Sequence, residues 1–184
     1  MNNIDEEITC ENVSKLSEED YESCKITFDN EGNAKVAIEE KGKFKDLAIC
    51  NGTKTSVELS DTCSTDAKYF AYEDVEGGVS ITGYSIEGGL NVVIPSNING
   101  KQVVSIGNTA FCFNKLTSVT IPSSVTSIGS SAFLKKDSSN PNLTKIINKT
   151  GRSFDWGHIV NNSSAYFVTG TVVNSNGNVE VVSE

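Results

Sequence analysis

The chemistry this chain could perform is limited by its supply of reactive side chains. It has one imidazole, His158, which stands near Asp155 and Trp156. A hydrolase built on it would need a nucleophile, a base and an oxyanion hole. No G-x-S-x-G nucleophile elbow is present, and a Cys112–His158 thiol dyad would lack a third residue to orient the imidazole. Both residues read more simply as structural. His158 falls in a capping segment, and Cys112 directly follows Ala110-Phe111 in a turn, where a free thiol behaves as a small buried hydrophobe. Asp29-Asn30-Glu31-Gly32-Asn33 through Glu40 has acids at the first, third and twelfth positions of a calcium loop. Ala34 occupies the sixth, where the sharp turn needs glycine, so the segment reads as a hairpin turn. Gly77-Gly78 and Gly88-Gly89 belong to neither a dinucleotide fingerprint nor a Walker A loop. The expectation is a chain with no catalytic residue, no metal and no cofactor.

Five cysteines remain: Cys10, Cys24, Cys50, Cys63 and Cys112. None lies at the C-x-x-C spacing of a zinc or redox site. Disulfides are the better reading for the first four. The spacings pair Cys10 with Cys24 and Cys50 with Cys63, each closing a short loop worth about 3 kcal/mol in the chain-entropy view. Spacing alone does not fix that connectivity.

Charge divides the chain. Residues 1–87 hold 20 of the 24 acids and 8 of the 15 bases, so this part carries about −12 and the remainder about +3. Phosphate binding needs clustered Lys and Arg, whereas the longest basic run is Lys135-Lys136, in a polar segment that reads as a solvated loop. Nucleic acid is therefore not an expected partner. No stretch approaches the ~18–20 apolar residues that span a bilayer, and Met1 is followed by Asn2, Asn3, Ile4 and Asp5 rather than a signal-peptide core. Membrane association is expected only through an N-terminal hydrophobic helix that this sequence lacks.

The elements around these residues are mostly short strands. Ser17 and the acids after it suit a helical turn within 14–22. Lys25–Phe28 and Lys35–Ile38 alternate apolar and polar residues around Asn30–Asn33, the pattern of a hairpin. Two further strands are expected near Leu47–Cys50 and Ser56–Leu59, and a second hairpin joins Tyr69–Asp74 to Val79–Tyr84 through Glu76-Gly77-Gly78.

From residue 89 the chain repeats itself. Ile94-Pro95-Ser96 recurs as Ile121-Pro122-Ser123, Ser105-Ile106-Gly107 as Ser127-Ile128-Gly129, and Ala110-Phe111 as Ala132-Phe133. The last two pairs are separated by 22 residues and the first by 27, because the first copy carries an extra Asn99-Gly100-Lys101-Gln102 turn. Leu116, Val119 and Ile121 follow L-x-x-L-x-L, in which a short strand sends its apolar residues into a solenoid core. Pro122 ends that strand. A third copy starts at Leu143 and Ile146 but carries Asn148 where Ile121 stood, as a degenerating terminal repeat would. Phe154 and Trp156 then plug the open end.

Ile81-Thr82-Gly83-Tyr84, Val92-Val93-Ile94-Pro95-Ser96, Val104 through Phe111, and above all Leu116 through Phe133 resemble the BspA-like leucine-rich repeats of bacterial surface proteins, over about 69–148. The tail Asn148–Gly157, with Phe167–Val172, resembles the closing segment of repeat-bearing pilin-like proteins of Gram-positive bacteria. The resemblance implies a right-handed solenoid with a parallel sheet on one face, serving protein recognition, adhesion or filament display.

The whole reads as an α+β, mostly β chain in two modules. An acidic, disulfide-stapled, pilin-like head covers 1–66, and a short leucine-rich-repeat solenoid with an N-terminal hairpin cap and a C-terminal cap covers 67–184. The expected role is that of a non-enzymatic, extracellular minor pilin or pseudopilin-like protein contacting a protein partner. The alternatives are a free-standing secreted or wall-attached adhesin and, distantly, a hydrolase using His158. Thr117, Ser118 and Thr120 are the expected outward-facing contact positions.

Overall fold

A computed structural model describes the backbone of residues 23–28, 34–40, 43–50, 63–136, 139–161, 166–168, 170–173 and 177–184, with side chains in 64–136, 139–161, 170–172 and 177–184. The expected helical turn within 14–22, the strand at Ser56–Leu59, the turn at Asn30–Asn33, and Cys10 lie outside the described residues.

In chain order the strands are β1 (Ser23–Phe28), β2 (Ala34–Glu40), β3 (Lys43–Cys50), β4 (Cys63–Thr65), β5 (Phe70–Val75), β6 (Gly78–Tyr84), β7 (Asn91–Val93), β8 (Asn97–Ile98) and β9 (Lys101–Ile106). They continue as β10 (Ser118–Ile121), β11 (Ser127–Ile128), β12 (Lys145–Asn148), β13 (Tyr166–Val168), β14 (Thr171–Val173) and β15 (Val179–Ser183), with a five-residue helix α1 (Trp156–Val160) after β12. The chain is mostly β, as expected. Among the described residues these strands form three sheets, ordered β3-β2-β1-β4, β11-β9-β6-β5 and β13-β14-β15-β12-β10-β7, with β8 pairing β9 at the margin.

The first hairpin forms as β1 against antiparallel β2, so Ala34 starts a strand and does not sit in a metal-binding loop. The second forms as β5 against β6. Its inner strand continues the register of the repeats. Ser80 and Ile81 of β6 align with Ser105 and Ile106 of β9, which align with Ser127 and Ile128 of β11. The hairpin thus supplies one rung of the Ser-Ile series, and its outer strand β5 is the edge strand of that sheet, with five consecutive exposed residues.

The repeat motif becomes a stack because each copy places the same residue at the same height. In the larger sheet Val92, Val119, Ile146 and Val181 are register partners on four parallel strands, 0–6 % exposed. Parallel strands lie about 4.8 Å apart, so each branched side chain rests on the one before it. Burying a Val or Ile contributes about 1.5–3 kcal/mol. A second column is aromatic: the ring centroids of Phe70 and Tyr84 are 5.1 Å apart, Tyr84 and Phe111 5.5 Å, and Phe111 and Phe133 5.0 Å. Tyr84 takes the place that Phe holds in later copies and donates its hydroxyl to the Gly89 carbonyl at 3.0 Å.

The turns repeat as faithfully as the strands. Thr109 and Ser131, each preceding an Ala-Phe pair, have φ of 55°. This left-handed conformation costs roughly 1–2 kcal/mol for a residue with a side chain. It is held by inter-copy hydrogen bonds from Thr109 N to Ser130 O, Phe111 N to Ala132 O, Ser131 N to His158 O and Phe133 N to Ile159 O. The last carbonyls of α1, which have no partner inside a five-residue helix, therefore serve as the final rung of the turn ladder. Trp156 at its start is 3 % exposed and meets Phe154 edge-on at 5.4 Å, inside the common core.

Three readings need revision. Asn148 does not mark decay: it is 1 % exposed, accepts from Thr150 N and Oγ1, and donates to Arg152 O. Lys135, Ser139 and Asn140 are not solvated, although Lys136 between them is exposed: the three are buried and meet backbone groups the turns leave unpaired. Ser139 Oγ accepts from Phe113 N at 2.8 Å; Asn140 Oδ1 accepts from Leu116 N at 3.0 Å while its Nδ2 donates to Phe111 O and Leu134 O at 2.7 and 3.1 Å. The ladder also does not end with the third copy, since β15 adds a fourth parallel strand and the β13–β14 hairpin pairs antiparallel with its far edge.

Candidate interaction surface

Side chains alternate across a strand, so burial of the Val92 row sends the next residue of each strand to the opposite face. That row is Val93, Thr120, Ile147 and Val182, joined by register across β7, β10, β12 and β15. Val93, Ile147 and Val182 are half-buried. The row beside it is polar: Asn91, Ser118, Lys145 and Glu180, of which Lys145 and Glu180 are exposed. The outer face of the sheet thus offers a band of branched side chains bordered by one exposed cation and one exposed anion. β10, β12 and β15 are each paired on both sides and β7 on one, so presenting this face costs little conformational entropy on contact.

The three expected contact residues occupy this neighbourhood differently from the expectation. Thr117 Oγ1 donates to Leu90 O and Asn91 Oδ1 at 3.1 and 2.9 Å, and Ser118 Oγ donates to the same Asn91 oxygen at 2.8 Å. Both hydroxyls bond the preceding copy. Thr120 is 8 % exposed, packed between its register partners Val93 and Ile147. Thr117 and Ser118 are half-buried like Val93, Ile147 and Val182 on the neighbouring strands, and of the three expected positions Thr120 alone is buried. Sequence reasoning missed Val182 because the repeat signature ends before β15. Counting alternation outward from Val119, and not only inward, would have found Val93 and Ile147.

The candidate catalytic groups each have a simpler structural setting. The Cys112 thiol donates to Ser131 O at 3.4 Å, and burial pushes it above the ordinary thiol range, which lowers its thiolate fraction. His158 is exposed; its backbone N–H donates to Asp155 Oδ1 at 3.1 Å, so Asp155 acts as the cap of α1 and not as an imidazole partner. Among the described residues no three His, Cys, Asp or Glu cluster at metal-binding distance, and no helix is long and apolar enough to cross a membrane. The side chains of Cys24, Cys50 and Cys63, like all of Cys10, lie outside the described residues.

The residues that build the stacked strands are also those that relate this chain to known proteins. A family model described as BspA type leucine-rich repeat region (6 copies) matches residues 90–155. No curated protein matches. Among solved structures, a leucine-rich repeat protein of T. pallidum is 34 % identical over 46 % of this chain and 42 % of that one, with a TM-score of 0.36. This chain therefore spans less than half the length of that relative. From β7 to the start of α1, the stacked rungs of this chain are similar to BspA-type leucine-rich repeats, a module of protein–protein contact.

Proposed function

We propose that this protein is a non-enzymatic, surface-displayed, pilus-associated protein of the minor pilin kind, in which the acidic head of 1–66 carries the repeat module of 67–184 and the module contacts a protein partner. The observation that carries the reading is the outer row Val93, Thr120, Ile147 and Val182, a rigid apolar band on a sheet whose inner face is fully used by the core. Contact through such a face depends on shape and on a few buried anchors more than on total area. The engaged Cys112 thiol and the exposed His158 support leaving catalysis out.

Antibody labelling of intact cells of the organism that carries the gene tests this reading. Labelling without permeabilisation, with gold particles along filaments, is the expected result. Particles scattered over the wall would favour a free-standing adhesin, and signal only after lysis would refute surface display altogether.

A further inference from the structure

We propose that Cys24 and Cys63 form a disulfide that ties the head sheet to the strand leading into the repeats. The inference rests on backbone register. β1 and β4 pair parallel, with Cys24 opposite Cys63, Lys25 opposite Ser64 and Ile26 opposite Thr65. Register partners on adjacent strands sit about 4.8 Å apart, inside the ~4.4–6.8 Å Cα separation that a disulfide requires.

The same sheet disfavours the other pairings among the described cysteines. Cys50 ends β3, and the order β3-β2-β1-β4 puts β2 and β1 between it and Cys63. Three strand intervals amount to about 14 Å, twice the reach of a bridge. Cys50 lies opposite Ala34, which lies opposite Phe28, so it is also level with the far end of β1 from Cys24. Two strand intervals and four residues of rise, roughly 13 Å along the strand, separate that pair.

The link has a structural consequence. Thr65, two residues beyond Cys63, accepts a hydrogen bond on Oγ1 from Val93 N at 3.1 Å, at the edge of the first repeat strand. Covalent attachment of β4 to β1 makes that edge continuous with the head, so force applied to the repeats passes into the head through the bridge and not through three residues of strand pairing. In the forming reaction the two thiols lose two protons and two electrons, one S–S bond is made, and a disulfide oxidant such as oxidised glutathione is reduced to two thiols.

Peptide mapping tests the assignment directly, because trypsin leaves each of the five cysteines on its own peptide. The full chain is oxidised in a glutathione buffer, its free thiols are alkylated at low pH, and it is digested without reduction. The expected product is peptide 16–25 joined to peptide 55–68, 2 Da below the sum of the two thiol peptides. Reduction should also lower the melting temperature of the parent by several degrees while leaving a Cys24→Ser/Cys63→Ser double variant unchanged. Peptide 55–68 joined to 46–54, peptide 16–25 joined to 1–15, or both recovered fully alkylated would overturn the proposal. The result does not depend on where the protein resides, so it stands or falls apart from the surface reading.

Discussion

Replacing Asn140 by Ala should destabilise the repeat module more than any other single polar substitution in it. Asn140 is 0 % exposed and binds three backbone groups: it accepts from Leu116 N and donates to Phe111 O and Leu134 O. Leu116 and Phe111 are themselves 0 % exposed, so their freed N–H and C=O meet no water, whereas Leu134 is half-buried. A buried backbone group left unpaired costs about 1–3 kcal/mol, which puts Asn140→Ala near 4 kcal/mol. For a chain of this size each kcal/mol lowers the melting temperature by roughly 2–4 °C, so a drop of about 10 °C is expected in calorimetry or circular dichroism. Asn140→Asp should fall further, because it retains the acceptor but turns a carboxylate oxygen toward two carbonyls. Asn142→Ala, at an exposed position two residues on, should stay within about 0.5 kcal/mol of the parent. If Asn140→Ala melted within ~2 °C of the parent, which is under 1 kcal/mol, the reading of Asn140 as a buried polar plug between the turns would be wrong.

Further outcomes follow from the same packing. A Cβ added at Gly129 would lie 2.5 Å from Asn108 N and 2.7 Å from Gly107 C, while one at Gly83 would meet only Ala71 Cβ at 3.4 Å; Gly129→Ala should therefore cost about 2–3 kcal/mol and Gly83→Ala almost nothing, as read by chemical denaturation. Trp156→Ala should lower the melting temperature by several degrees, since it opens the core beside α1, and an unchanged value would remove its capping role. Burial holds the Lys135 ammonium below the ordinary lysine range, with Nζ donating to Pro141 O at 2.8 Å and to Leu143 O. Between that depressed value and the unfolded value near ~10.4 the unfolded chain binds more protons, so this group makes stability rise with pH across the interval. Comparing denaturation of the parent and Lys135→Met through the alkaline range should show the rise only in the parent.

Much of this architecture was legible because the repeat states it twice. Ile121-Pro122, Ser127-Ile128-Gly129 and Ala132-Phe133 each have a counterpart, and the counterparts land in register, on stacked strands or on stacked turns. The glycine of Ser-Ile-Gly is explained only by the structure: at Gly129 the preceding copy's backbone passes too close for a side chain. What remained hidden is what occurs once. β15 carries no signature, and its place between β12 and β14 is a long-range pairing that no local pattern encodes. Lys135, Ser139 and Asn140 look like a solvated loop because their burial is licensed by hydrogen bonds to distant backbone, not by apolar character. Thr120 illustrates the converse error. Its alternation was read correctly as outward, but its register neighbours Val93 and Ile147 cover it.

The contact surface proposed for this protein is the outer face of the parallel sheet, and Ile147→Arg probes it at the middle of the row. In the organism that carries the gene, strains bearing the parent sequence, Ile147→Arg and a deletion should be compared for adhesion, with surface protein levels and the melting temperature of the purified variant measured alongside. Ile147→Arg should adhere no better than the deletion while its surface level and melting temperature match the parent. Adhesion equal to the parent from a folded, displayed Ile147→Arg protein would contradict it.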